Sequence, residues 1–198
     1  MTVDVALSLL TFALVSSLTP GPNNFMLLAS GANFGFVRTI PHALGIMMSF
    51  FVLLVAIGFG LGALLTAAPA LHLALKIAGA SYLVYLAWRL AMSRSLGQEG
   101  ETNVQPMTPF EAALFQWVNP KAWVMGLTSM AVFTDPDRPF MTALIVAFTF
   151  FAVNFPSNSI WIVFGVALRR LLADPVRLKW FNITMAVLLI LSVVPMLG

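Results

Sequence analysis

No cysteine occurs in the 198 residues, which excludes a disulfide framework, a thiolate nucleophile and any cysteine metal site. Charge is nearly as scarce: 9% of residues are Asp, Glu, Lys or Arg and 60% are hydrophobic, giving a mean hydropathy of +0.96. A soluble domain carries about 25% charged residues, and so few charges could not wet its surface. The composition is that of an integral membrane protein. Asp4, Glu99, Glu101, Glu111, Asp135, Asp137 and Asp174 all fall at the ends of apolar runs or between them, so no carboxylate sits at mid-depth to relay protons. His42 and His72 map near opposite faces and cannot pair, and neither an HExxH motif nor an Asp cluster exists for a metal. An enzyme is therefore not expected, and neither is a metal or a cofactor. The net charge of +3 and pI near 9.8 do not point to nucleic acid, because the ten basic residues are scattered and mostly flank apolar runs. The opening "MTVDVALSLL" has no Lys or Arg. It lacks the basic start of a cleaved signal peptide, so the first run reads as part of the mature protein.

At about 20 apolar residues per crossing, the chain has room for roughly six membrane-spanning helices in one domain. The runs are 5–34, 40–65, 70–91, 109–132, 140–168 and 176–196. Thr108, Pro109 and Glu111 form a capping box with proline at the first helical position, and Asp174 with Pro175 repeats the cap-and-proline start. "TDPDRP" at 134–139 reads as a tight polar turn, and 93–108 as a flexible connecting loop. With both termini outside, Arg38, Arg89, Arg94, Arg169, Arg170, Arg177 and Lys179 lie on the inner side and Arg138 alone on the outer, as the positive-inside rule requires. Lys76, about 9 Å from the end of its run at 1.5 Å per residue, can snorkel to the headgroups. Lys121, roughly 18 Å into the fourth run, cannot easily do so.

The stretch "SSLTPGPNNFMLL", 16–28, interrupts the first run with Pro20, Gly21 and Pro22. Each proline inside a helix costs about 3 kcal/mol or more, and each exposed backbone group in hydrocarbon several more. Such a break belongs where it faces protein or a wet cavity. The expectation is two half-helices, with Asn23 or Asn24 capping the second. "FQWVNPKAW" breaks the fourth run in the same way: Asn119 caps, Pro120 takes the first position, and Lys121 stands beside the positive end of the half-helix. That placement suits an anion such as a substrate carboxylate, or else Lys121 bonds broken-helix carbonyls or snorkels. In the fifth run, "VNFPSNS" gathers Asn154, Ser157 and Asn158 at the depth of both breaks. These line a shared polar cavity or make ordinary interhelical hydrogen bonds. Gly31 with Gly35, and Gly58 with Gly62, have the spacing that packs helices or subunits. Pro20 and Pro120 also correspond at an offset of about 100 residues. Three runs in each half (1–92 and 109–198) place the halves in the membrane in opposite senses. The fold class is thus all-α integral membrane, with six spans as two inverted three-helix repeats whose first and fourth helices are broken.

"LTPGPNN", "GFVRTIPHALGI", "KIAGASYLVYLAWR" and "FQWVNPKAW", in this order over nearly the whole chain, resemble the LysE superfamily of amino-acid exporters in its RhtB branch. The asparagine pair after TPGP is most similar to exporters of cysteine and O-acetylserine, with exporters of homoserine, threonine and leucine close behind. The resemblance implies export of a small neutral amino acid or derivative across the bacterial inner membrane, as a homodimer and by proton exchange. The motif positions fall on Pro20, Gly21, Pro22, Asn119, Pro120 and Lys121. Acidic residues assigned to transport in some relatives have no mid-membrane counterpart here. Other classes remain: a passive channel, which would neither saturate nor couple, and a membrane scaffold, in which both motifs would be packing kinks.

Overall fold

The computed structural model describes residues 1–93 and 105–191. Its elements are α1 (Val3–Leu18), α2 (Pro22–Phe34), α3 (Phe36–Ala56), a π-type turn (Ile57–Leu61), α4 (Gly62–Ala67), α5 (Pro69–Met92), α6 (Pro109–Val118), α7 (Pro120–Phe133), α8 (Pro139–Leu168), a short 3-10 turn and α9 (Pro175–Leu191). The described residues form no strand. Most of the 93–108 loop, the end of the sixth run and the side chains of His72 and Lys76 lie outside the described residues.

The helix starts follow the local signals. Thr108 Oγ1 accepts from the Glu111 N–H at 3.2 Å, and Glu111 Oε2 accepts from the Thr108 N–H at 2.8 Å, completing the capping box. Asp174 Oδ1 accepts from the N–H groups of Val176 and Arg177, both at 2.9 Å. In the 134–139 turn, Asp135 Oδ1 accepts from the Asp137 N–H at 3.0 Å. One start differs: α3 begins at Phe36, a turn before the apolar run, because Gly35 at φ 83° reverses the chain directly after α2. A second break not foreseen from hydropathy lies at Gly60, whose φ of 112° separates α3 from α4. Pro41 and Pro156 stay inside α3 and α8 without ending them.

Among the described residues two helices, Phe36–Leu61 and Pro139–Leu168, are long and apolar enough to cross a membrane, and α1 with α2 makes a third when the pair, bent by 56°, is counted as one broken span. In chain order the pair α1–α2 is followed by α3, the π-type turn, α4 and α5, and the pair α6–α7 by α8, the 3-10 turn and α9.

Glycine sets the closest approaches. A Cβ at Gly165 would stand 2.1 Å from Leu28 O, one at Gly31 2.4 Å from Ile162 O, and one at Gly45 2.4 Å from Pro109 O. Helix α2 therefore lies backbone to backbone on α8, and α3 on α6, the arrangement that small residues permit. Gly58 likewise meets Ala143 of α8, whereas Gly35 serves the turn. The two larger apolar clusters hold Leu27, Ile46, Leu83, Phe115 and Ile162 on one side of the breaks, and Leu9, Phe50, Leu53, Val146 and Phe150 on the other, and a small third joins Ala32, Leu172 and Leu178.

Candidate functional site

Ending α1 at Leu18 leaves its last carbonyls without intrahelical donors, and Pro20 and Pro22 contribute no N–H to the break. The break thus needs donors. Asn24 supplies one amide to two carbonyls, with Nδ2 at 3.0 Å from Ser17 O and 2.8 Å from Thr19 O. This corrects the expected capping: Gly21 is the N-cap of α2 with no side-chain bond, and Asn24 reaches back to close α1. Lys121 Nζ donates to Thr19 O as well, across from the other break. The ammonium group stands at the negative end of α1, where a cation is favoured, although its backbone belongs to the positive end of α7.

Gly21 makes this contact possible. Its backbone is extended (φ −171°, ψ 177°), so any residue could adopt it. A Cβ there would lie 2.7 Å from Lys121 Cδ, so space is what requires glycine.

The second break spans one residue. Asn119 is both the C-cap of α6 and the N-cap of α7, its Oδ1 accepting from the Lys121 N–H at 3.1 Å, with Pro120 at the first helical position as expected. Trp123 Nε1 reaches back across it to Trp117 O at 2.7 Å. Each break is therefore closed by a side chain of its following helix that donates to the preceding one.

Gly21, Asn23, Asn24, Asn119, Lys121, Asn154 and Asn158 line one cavity of about 30 Å³ between the breaks. This is about the room of one water molecule. Pro20, Pro22, Pro120 and Ser157 are not among the residues that line it, although Ser157 is buried with no hydrogen-bond partner for its hydroxyl. Sequence reasoning missed Gln116, 3% exposed, whose Oε1 accepts from Asn23 Nδ2 at 2.7 Å, and Ser16 and Ser17, which join the lining. Gln116 lies one turn before Asn119, and a polar residue at that spacing was the available signal. The site also holds unmet capacity: Asn23 Oδ1, Ser17 Oγ and Asn158 Nδ2 are buried without partners. A buried unsatisfied polar group costs about 1–3 kcal/mol. Ile46 and Phe50 form an apolar wall, and Phe50 packs edge-to-face on Phe150 at 5.4 Å, with Phe12 meeting Phe150 at 6.2 Å. Chemically, the site offers one ammonium, helix N-termini, the carbonyls that end α1 and side-chain amides. Among the described residues no group of acidic, histidine or cysteine side chains could hold a metal.

The LysE type translocator family model matches residues 14–196. Cysteine/O-acetylserine efflux proteins of Escherichia coli O157:H7 and Escherichia coli K12 are each 29% identical to the chain over 96% of it and 96% of their own lengths, and so is that of Shigella sonnei. No solved structure matches.

Proposed function

From a chain that belongs to the LysE type translocator family, a membrane-embedded transporter rather than an enzyme, we propose the export of a small neutral amino acid or derivative from the bacterial cytoplasm across the inner membrane. The substrate range is cysteine or O-acetylserine, homoserine or threonine, or a similar amino acid, and the names of the relatives above support cysteine and O-acetylserine within it. One observation carries the reading: the two helix breaks meet through Lys121 and Thr19 around buried polar atoms that have no partners.

That meeting supplies both poles an α-amino acid requires. The substrate carboxylate binds at Lys121 and the start of α7, where a helix N-terminus favours an anion. Its ammonium takes the place of Nζ on Thr19 O, with Asn23 Oδ1 as a further acceptor. In the absence of substrate the lysine satisfies the α1 carbonyls itself, so no bare charge faces the apolar surroundings. Binding therefore exchanges one set of charge-assisted bonds for another, which makes release as accessible as capture. A cavity of about 30 Å³ cannot hold an amino acid, so transport requires the breaks to separate. In this reading the two halves, residues 1–92 and 109–198, are inverted repeats of three spans that rock against each other, both termini face the periplasm, and the protein is a homodimer. The aromatic group of Phe12, Phe50 and Phe150 closes the periplasmic side. A proton gradient drives the export. No mid-depth carboxylate stands in the sequence, so Lys121 or the substrate's own amine carries the linked proton.

Uptake of labelled cysteine, O-acetylserine, homoserine and leucine into inside-out vesicles, with and without a pH gradient, tests this. Saturable, gradient-dependent uptake of one or more is expected. Uptake that grows linearly with concentration and ignores the gradient would favour a passive channel, and none at all with folded protein would leave a scaffold.

A further inference from the structure

A second cavity, of about 330 Å³, lies away from the breaks among the second half of α2, the start of α3, the end of α5 and the residues leading into α6. This is the end of the molecule that carries Arg38, Arg89 and Arg169. Its volume is roughly ten times that of the cavity between the breaks and falls in the range of about 300–1,000 Å³ usual for small-molecule sites.

The lining is mixed. Met26, Leu86 and Met107 give apolar surface. Among them are Asn33 and His42, each only 2% exposed, and Arg89. Asn33 is held in place: its Nδ2 donates to Ala29 O at 2.8 Å and to Asn182 Oδ1 at 3.1 Å, and Asn182 in turn donates to Ser93 O at 3.1 Å. The fixed amide leaves Asn33 Oδ1 without a partner, and His42 Nδ1 has none either. The buried amide oxygen is costly unless something donates to it, and the buried imidazole nitrogen, which accepts when the proton is on Nε2, is costly without a partner in the same way. Arg89 is positioned by Glu111, whose Oε1 accepts from Nη1 at 2.9 Å. A guanidinium has five N–H donors, so one such bond leaves capacity for a second carboxylate.

We infer that this cavity is a second amino-acid site, a cytoplasmic vestibule in which a zwitterionic α-amino acid places its carboxylate on Arg89 and its ammonium on Asn33 Oδ1 and His42 Nδ1 before reaching the breaks. The inference rests on the export direction proposed above. The paired charges recognise the amino-acid core, and the apolar surface accepts a short side chain. Asn33 and the break residues Asn23 and Asn24 all belong to α2, so one helix serves both sites.

Trp88 lines the vestibule and provides a local reporter. Full-length protein in phosphatidylcholine nanodiscs is titrated with O-acetyl-L-serine, L-homoserine and L-leucine, and with the methyl ester of each, while tryptophan fluorescence is recorded. At least one free acid should give a saturable change that its ester does not. The change should persist in Lys121→Met, which disables the site at the breaks, and in that background it should vanish with Trp88→Phe and need at least tenfold more ligand with Arg89→Gln and His42→Leu. Arg89→Lys, which keeps the charge beside Glu111, should recover part of the affinity and guards against misfolding as the cause. With Lys121→Met removing the site at the breaks, a response that survives Trp88→Phe, or is equal for acid and ester, overturns the vestibule. So does the absence of any response in protein that transports the same amino acid in vesicles, an outcome that leaves the export reading intact. A Trp88 signal with all these properties in protein that transports nothing would support the site and remove export instead.

Discussion

Replacing Gly21 by alanine adds one methyl group and no backbone strain, since φ −171° and ψ 177° are open to any residue. The new Cβ would sit 2.7 Å from Lys121 Cδ and 3.1 Å from Nζ, about 0.7 Å inside ordinary contact with Cδ at 3.4 Å. A flexible lysine stem yields before the backbone does. The expected consequence is that Nζ leaves Thr19 O while Asn24 still covers that carbonyl and Ser17 O. A hydrogen bond to a charged group contributes about 1.5–3 kcal/mol, and the discount for a half-exposed side chain brings this to about 1–2 kcal/mol. Gly21→Ala should therefore lower the melting temperature in detergent by a few degrees, and export should fall about tenfold, the rate equivalent of about 1.4 kcal/mol. Because the methyl acts only through Lys121, the loss should not grow further in the Gly21→Ala, Lys121→Met double variant. Thermal melts and vesicle uptake on all three variants decide it. Wild-type stability and transport in Gly21→Ala, or fully additive losses in the double variant, would refute the reasoning.

Asn24→Ala removes the amide from both Ser17 O and Thr19 O and should destabilise the protein by about 2–4 kcal/mol; Asn24→Asp, which sets a carboxylate against those oxygens, should be worse, as read from thermal melts. Gly165→Ala drives a methyl to 2.1 Å from Leu28 O, a backbone atom that cannot rotate away, so a loss of about 1–3 kcal/mol from overpacking is expected in the same assay. Tags at either terminus should be reached by a membrane-impermeant reagent in intact spheroplasts, and protection of either would overturn the proposed topology.

Both breaks were legible in the sequence because their prolines come with a second local signal, Gly21 between Pro20 and Pro22 and the capping Asn119 before Pro120, whereas the lone Pro41 and Pro156 leave their helices unbroken. The capping box at Thr108 and the cap at Asp174 were legible for a similar reason: their geometry is local. What escaped was set by contacts distant in sequence. Asn24 closes α1 instead of opening α2, because the shortage at that break is of donors for carbonyls, a balance visible only once both helix ends are placed. Gln116 pairs with Asn23 over 93 positions, and no local pattern announces a partner that far away. Gly60 sits in an unbroken apolar run, where hydropathy is blind to a reversal of φ. Lys121 was recognised as out of place in a span, but which oxygen it meets depends on how the two breaks dock.

Uptake by inside-out vesicles carrying Lys121→Met, compared with the intact protein at equal amounts of folded transporter, tests the central claim most directly. Loss of saturable, gradient-dependent amino-acid uptake, with the helical content and oligomeric state retained, is the predicted result. Uptake unchanged in rate and gradient dependence would remove Lys121 from the transport site and reduce its bond to Thr19 to a structural clasp.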